Sequence, residues 1–382
     1  MTKYILLLLT IMVLSCNNKT KQAIEIESNT YKITQLIDSV AAEMVQDSLI
    51  NATSIAVFYN GNEYIQHDGE LEKGKGNTPT NNTIYEIGSL SKVLTGTLIA
   101  QAVLEQKINL EDAITKYLTE DYSNLSYNNN PIKIKHLLTH TAGFPNMLTL
   151  ELNQIMDDFL NYETPAKINT ILENYSQTKF LQDLHSIKMD TIPGYKYVYS
   201  SAGTELTAHI LETVYKTNFE DLLKTFYLEK VGMTNTKINL NTTELSNLAV
   251  GYHVDNPIIT SPMGKLPWGA AGNIKTTVPD MMKFVKYQLE NDAIVQESHK
   301  SIFQYNDEFG LGYFWNIDAS NTELGTQYTH HGGVPRSQCY AYIIPEYNLG
   351  AFIITNQSGM NTAPKMQAVL NPIFNSIIQQ AK

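Results

Sequence analysis

Gly88-Ser89-Leu90-Ser91-Lys92 is the stretch on which the reading of this chain turns. It places a hydroxyl and an amine three residues apart at the mouth of a helix. The preceding Ile84-Tyr85-Glu86-Ile87 reads as extended, while Val93, Leu94, Leu98, Ile99, Ala102 and Val103 continue as a helix apolar over most of its girth. Such a helix is buried, and Ser89 and Lys92 share one of its faces. An alcohol is a poor nucleophile until a neighbour takes its proton, and a neutral lysine is a suitable acceptor. S-x-x-K is only two fixed residues, however, and Ser176-Gln177-Thr178-Lys179 matches it too. That second match lies in a polar stretch between Leu172 and Phe180, with no strand or glycine before it, and reads as an exposed helix end. Taken alone, Ser89 also reads as a helix cap. The rest of the chain has to decide.

At 382 residues the chain can fill one large or two ordinary domains, with the apolar content of a globular protein. Its formal charge is −11 with no basic cluster beyond the first residues, which argues against a nucleic-acid surface. Lys3 precedes an apolar run from Ile5 to Leu14 that is too short to span a bilayer and ends in Leu14-Ser15-Cys16. This resembles the lipobox of bacterial lipoproteins, in which a cysteine carries the lipid after cleavage. The resemblance implies a signal peptide over residues 1–15, lipidation at Cys16, a tether over 16–30 and a soluble domain over 31–382. It also implies anchorage to a membrane of the bacterial cell envelope, facing the periplasm or the outer surface. A plain signal peptide is the alternative. Cys339 is the only other cysteine, so an acylated Cys16 leaves no intrachain disulfide.

Ile33, Leu36, Ile37, Val40, Met44 and Val45 recur at helical spacing and give a first helix expected to pack on a sheet. Thr53–Tyr59 and Glu63–His67 read as strands joined by Asn60-Gly61, a hairpin signal because both residues tolerate positive φ. From Ser89 to about residue 250 the chain reads as mostly helical. Helices are expected from Leu110-Glu111-Asp112, over Ile134–Thr139, as two elements between Leu150 and Leu184, and over Phe219–Leu228. The stretch from about 146 to 192 is expected to roof the site. Beyond Pro279 a helix carries Met281, Met282, Phe284 and Val285. Strand signals return at Gly310–Trp315, Gln327–His331, Gln338–Ile344 and Gly350–Thr355, and Ala363–Gln380 closes as helix. The order of helix, two strands, a long helical insertion, several strands and a helix implies one mixed sheet built from both chain ends. Residues 31–88 and 265–382 form the α/β part and 89–264 the helical part.

Three further groups could complete a site. Tyr199 follows the turn dipeptide Pro193-Gly194 and precedes Ser200-Ser201 and a helix over Thr204–Tyr215; a tyrosine on a rigid loop can relay a proton. With 23 tyrosines in the chain, an ordinary packed aromatic is the competing reading. His330-His331-Gly332-Gly333 ends an expected strand. Neighbouring strand residues face opposite ways, so only one histidine is expected to face a cleft. The glycines leave room for a substrate along the strand edge, where a backbone N–H could join that of Ser89 in holding an oxyanion. His136 and His140 have the four-residue spacing of a zinc pair, but Leu137 stands where such a motif carries glutamate. No third ligand is apparent, and capping or packing is the preferred role for both.

Taken together, the chain resembles the serine β-lactamase-related hydrolases, which include class C β-lactamases, D,D-carboxypeptidases and related esterases. The likeness runs from about Ile55 to Asn356 in ordered blocks: Ile87 to Lys92, Ile134 to Pro145, Pro193-Gly194 with Tyr199-Ser200, Gly232-Met233-Thr234-Asn235-Thr236, Ala271-Gly272, and His330 to Gly333. It implies an α+β fold, an antiparallel sheet of N- and C-terminal strands flanked by helices, with an inserted helical domain alongside and the cleft between them. It also implies Ser89 as the acylated nucleophile, Lys92 as its base partner and Tyr199 as the tyrosine of Tyr-x-Asn. His330-His331-Gly332 takes the place of Lys-Thr-Gly, and Gly333 would supply the second oxyanion N–H. Two positions depart from the pattern. Ser201 replaces an asparagine and cannot offer an amide's paired donor and acceptor. His330 replaces a fixed positive charge. Both would meet the substrate, and they point away from a β-lactam as the natural one.

The expectation is therefore a serine hydrolase working through an acyl-enzyme on an ester or amide, of esterase, D,D-peptidase or β-lactamase type. It needs no metal and no organic cofactor. Its partners are a small-molecule or peptide substrate and a membrane, and not nucleic acid. The alternative of another class is a non-catalytic ligand-binding or sensor protein on the same fold.

Overall fold

Strands β1 (Ala52–Tyr59) and β2 (Asn62–Gly69) pair through Asn60-Gly61, whose φ angles of 51° and 88° are those of a two-residue hairpin turn. The computed structural model describes residues 32–254 and 258–381; Cys16, with the expected signal and tether, lies outside the described residues. After the hairpin come β3 (Ile84–Glu86) and β4 (Lys275–Thr277), which pair with each other. Six more strands close the chain: β5 (Phe303–Gln304), β6 (Phe309–Gly312), β7 (Trp315–Asp318), β8 (Gln327–Val334), β9 (Ser337–Ile344) and β10 (Leu349–Thr355). Eight strands form one antiparallel sheet in the order β2-β1-β10-β9-β8-β7-β6-β5. Both chain ends share it because β1 lies against β10, with Ile55 opposite Ile353 and Val57 opposite Ala351.

Alternation along these strands sets the layers. Ile55, Val57 and Ile353 pack with Ile33, Ile37 and Met44 of helix α1 (residues 32–46) and with Met366 and Ile373 of the last helix (Thr362–Ala381). Their neighbours Ala56, Phe58, Phe352 and Ile354 face the opposite way, into a larger core shared with helix α2 (Ser91–Leu104) and the helix Val278–Tyr287. Strands buried on both faces carry unbroken apolar runs, and each fully buried aliphatic side chain contributes roughly 1.5–3 kcal/mol.

Four local expectations are corrected. Leu110-Glu111-Asp112 starts no α-helix: Asn109 Oδ1 accepts from the Glu111 N–H at 2.9 Å, a turn that competes with helix, and a 3₁₀ turn follows at Ile114–Tyr117. Leu150 to Leu184 holds three helices rather than two, Leu150–Asp157, Thr164–Leu172 and Gln177–Leu184, because Thr149 and Ser176 each cap a new start and Pro165 sits in the first turn of the middle one. Gly310–Trp315 is not one strand. The chain reverses at Tyr313-Phe314, with φ of 50° and 70°. Non-glycine residues rarely adopt this conformation, and here tertiary bonds impose it: Tyr313 OH donates to Glu297 at 2.6 Å, and the Phe314 N–H donates to Leu138 O at 2.9 Å. Finally, β8 does not end at the glycines but runs through them to Val334.

The reversal at Tyr313-Phe314 packs directly on α2. A Cβ at Gly96, in the middle of that helix, would lie 2.2 Å from the Tyr313 carbonyl oxygen. In an open helix, replacing glycine by alanine stabilises by roughly 0.5–1 kcal/mol. Gly96→Ala is expected to do the reverse and destabilise by about 1–3 kcal/mol, read as a lower midpoint in urea unfolding.

Candidate active site

A single 3₁₀ turn, Gly88–Leu90, presents Ser89 between β3 and α2. Gly88 has φ +52°, and a Cβ there would stand 2.7 Å from the backbone nitrogen of Gly333. A Cβ on Gly332 would lie 2.0 Å from Ile87 O. Only two chain segments without side chains can approach so closely. β7 pairs only with Gln327–Thr329 of β8, so from His330 onward β8 keeps β9 on one edge and has the Ser89 turn beside it. The capping role does not apply to Ser89, since the helix cap is Leu90 and no side chain serves it. It does apply to the second match: Ser176 Oγ accepts from the Lys179 N–H at 3.2 Å, while the Lys179 ammonium pairs with Asp183.

Lys92 is fully buried in the first turn of α2. Its Nζ donates to Ser89 Oγ at 3.1 Å and to Ala271 O at 2.8 Å. Tyr199 OH donates to the same Ser89 Oγ at 2.7 Å, and Lys92 Nζ stands 4.9 Å from the Tyr199 ring centre. Ser89, Lys92 and Tyr199 thus meet at one oxygen, although Tyr199 is 110 residues away in sequence.

Two residues that the sequence reading did not single out for this site support the trio. Glu205, on the helix Ser201–Tyr215, is buried and accepts from the backbone N–H groups of Trp268 (2.6 Å), Gly269 (3.0 Å) and Ala271 (2.7 Å). It thereby fixes the loop whose Ala271 carbonyl accepts from Lys92. Burial pushes its carboxyl pKa up, while the three N–H groups and Lys92 pull it back. His140 holds the Tyr199 loop: its carbonyl accepts from the Val198 N–H at 2.7 Å, its Nδ1 accepts from the Ser200 N–H at 3.2 Å, and its ring lies 4.6 Å from that of Tyr199. Its partner in the zinc-like spacing is engaged elsewhere, His136 Nδ1 accepting from the Lys133 N–H at 3.1 Å. The helix carrying His136 ends at Leu138, and His140 has φ 55°, so the two rings do not share a helix face. A bare sequence spacing could not show that His140 serves the tyrosine loop.

A cavity of about 350 Å³ opens over Ser89 and Tyr199. Gly333, Gln338, His330 and His331 border it along the strand, while Leu311, Phe314, Met156 and Phe159 form an apolar wall. Met156 and Phe159 come from the stretch expected to roof the site. Both histidines border the cavity, against the expectation of one, because it lies along the edge of β8 rather than over one face. Ser201 does not border it. That residue is buried in the first turn of its helix, with its N–H donating to Asn146 Oδ1 at 3.1 Å. Lys92 and Gly332 lie beneath the cavity floor.

Among the described residues, the cavity lining contains no Lys, Arg, Asp or Glu. Burial, helped by nearby Lys92, pushes the His330 pKa down to about 3. Burial alone takes His331 to about 4, and burial with Lys92 takes His140 well below 6.5. All three rings are neutral at physiological pH, so the cavity wall offers no cation to a substrate carboxylate.

A family model described as Beta-lactamase matches residues 37–371. Protein flp of Staphylococcus aureus (strain MRSA252) is 24% identical over 351 residues, which cover 88% of this chain and 65% of that protein, so the chain spans just under two thirds of that relative's length. A Beta-lactamase of Pseudomonas fluorescens is 28% identical over 294 residues, 77% of this chain and 74% of that one. Among solved structures, a Beta-lactamase/D-alanine Carboxypeptidase from Yersinia pestis superposes with a TM-score of 0.78 at 20% identity, covering 92% of this chain and 99% of its own. A penicillin-binding protein homologue from Pyrococcus abyssi gives 0.69 at 22%, covering 90% and 77%. These structural likenesses show the antiparallel-sheet fold.

The neutral histidines tie stability to pH. Between the ordinary histidine value of 6.5 and about 3, the unfolded chain binds a proton that native His330 does not. Stability is therefore full above the ordinary value and falls as the pH drops, by about 1.4 kcal/mol per unit for each such group. His330→Gln is expected to lose less stability than the wild type between about pH 7 and about pH 5 in urea unfolding. An equal loss in both proteins would contradict the buried, neutral ring.

Proposed function

The chain belongs to the Beta-lactamase family, and on that premise we propose that it is a serine hydrolase that cleaves an uncharged ester, or a related amide, through an acyl-enzyme. One observation carries this reading: Ser89 Oγ lies within hydrogen-bond reach of both Lys92 Nζ and Tyr199 OH. When Ser89 attacks a carbonyl carbon, its proton passes to this pair, and the pair returns a proton to the leaving oxygen or nitrogen. The carbonyl oxygen, now negative, lies toward the backbone N–H groups of Ser89 and Gly333, whose segments touch at Gly88. Water then attacks the acyl carbon, giving a proton to Lys92 and Tyr199; the bond from that carbon to Ser89 Oγ breaks, the pair returns a proton to Oγ, and the acid departs. Preference for an uncharged substrate is supported by the cavity wall, where His330 is neutral and no lysine or arginine takes the place of a fixed charge.

The non-catalytic alternative draws on Ser201 and the missing strand lysine. Ser201 stands away from the cavity, so its exchange for asparagine does not by itself disable the trio.

Fluorophosphonate is expected to label the wild type and leave Ser89→Ala unlabelled; retained label in that variant sinks the nucleophile. Lys92→Met and Tyr199→Phe are each expected to lower kcat/KM by about 10²–10⁴. In a panel of nitrophenyl esters, a chromogenic cephalosporin and D-Ala-D-Ala peptides, turnover is expected to be highest on the esters. Ligand binding with no turnover of any member would favour the sensor reading.

A further inference from the structure

Aromatic rings lead from the nucleophile to the surface in a continuous file. Tyr199 bonds to Ser89 Oγ, His140 lies 4.6 Å from the Tyr199 ring, Tyr197 lies 5.9 Å beyond that, and Tyr305 a further 6.1 Å out. Phe303 closes the file 5.0 Å from Tyr305. His140 is buried and Tyr199 half-buried, but Tyr197 is 39% and Tyr305 49% exposed. Soluble surfaces rarely keep contiguous rings in water without a use for them. These outer rings are also held in place. The Tyr305 N–H donates to Phe309 O at 2.9 Å, and Asn306 Oδ1 accepts from the N–H groups of Glu308 (2.9 Å) and Phe309 (2.8 Å), which fixes the loop between β5 and β6. The track is continuous with the uncharged cavity over Ser89, whose wall adds Leu311 and Phe314.

We propose that this file is a substrate subsite that holds an uncharged, elongated apolar acyl chain, with Tyr197 and Tyr305 as its outer platform. The inference deepens the acyl-hydrolase reading above and rests on it. An apolar chain is the occupant that matches a lining of rings and aliphatic groups with neutral histidines. The acyl half is the part that remains attached to Ser89 between the two half-reactions, so it is the half that gains from sustained contact with the rings. Each methylene withdrawn from water onto them strengthens binding of the transition state.

The test uses the full chain with nitrophenyl acetate, butyrate and octanoate. In the wild type kcat/KM is expected to rise with acyl length, octanoate exceeding acetate by about tenfold or more. Tyr305→Ala is expected to cut that octanoate-to-acetate ratio by about tenfold, and Tyr305→Phe to keep it, because the ring face and not the hydroxyl makes the contact. A Ser89-dependent enzyme that prefers acetate, or a Tyr305→Ala ratio equal to that of the wild type, overturns the subsite and leaves the hydrolase reading standing. A response to the size of the alcohol group, with none to the acyl chain, overturns it likewise. Failure to turn over any ester overturns the subsite, and failure on the amides of the panel as well overturns both.

Discussion

The close contact between two glycine-bearing segments governs the rest of this structure. Gly88 lies against the Gly333 backbone, and Gly332 against Ile87 O, at distances that no Cβ could enter. The first segment begins the turn that carries Ser89, and the second is the part of a sheet strand that pairs on one edge only. Their contact brings the N–H-bearing backbone of one beside the hydroxyl of the other, and it joins the sheet to α2. Everything else in the site is built around that junction. Lys92 rises from α2 beneath it, Tyr199 reaches it from the turn before the next long helix, and Glu205 secures the loop that faces Lys92 from the third side.

The site contrasts a polar floor with an apolar, uncharged wall. Burial first, with Lys92 nearby, holds the His330 and His140 pKa values down. Polar groups therefore converge on Ser89, while the wall carries no Lys, Arg, Asp or Glu. In a low-dielectric cavity that separation matters, because a hydrogen bond to a developing oxyanion is worth more there than in water.

Much of this architecture was legible from residue patterns. The Asn60-Gly61 hairpin, the apolar first helix and the late strands declared themselves because their signals are local: turn chemistry and periodicity do not depend on distant partners. The trio was also legible, but only through the order of its blocks, since Ser89 and Ser176 carry the same short motif and differ in what surrounds them. Three features were hidden because tertiary contacts create them. The left-handed turn at Tyr313-Phe314 has no glycine or asparagine to announce it and exists because Glu297 and Leu138 hold it. Glu205 looks like an ordinary helix glutamate until three backbone amides converge on it. Ser201 was assigned to the cavity by the position it occupies in a motif, whereas it lies buried in the first turn of its helix and is not among the residues that line the cavity.

The pairing of β1 with β10 has a consequence for how the chain reaches this state. The hairpin from Ala52 to Gly69 is complete early in the chain, yet the strand that covers its inner edge spans Leu349–Thr355. Until nearly all of the polypeptide exists, β1 presents an open edge of unsatisfied backbone groups and two apolar faces. Closing so long a loop precedes any gain from the contacts it permits, which makes such topologies slow to form. Assembly of the sheet is thus a late event for the whole chain, and the site at Ser89, whose residues all lie between β1 and β10 in sequence, is enclosed by that closure.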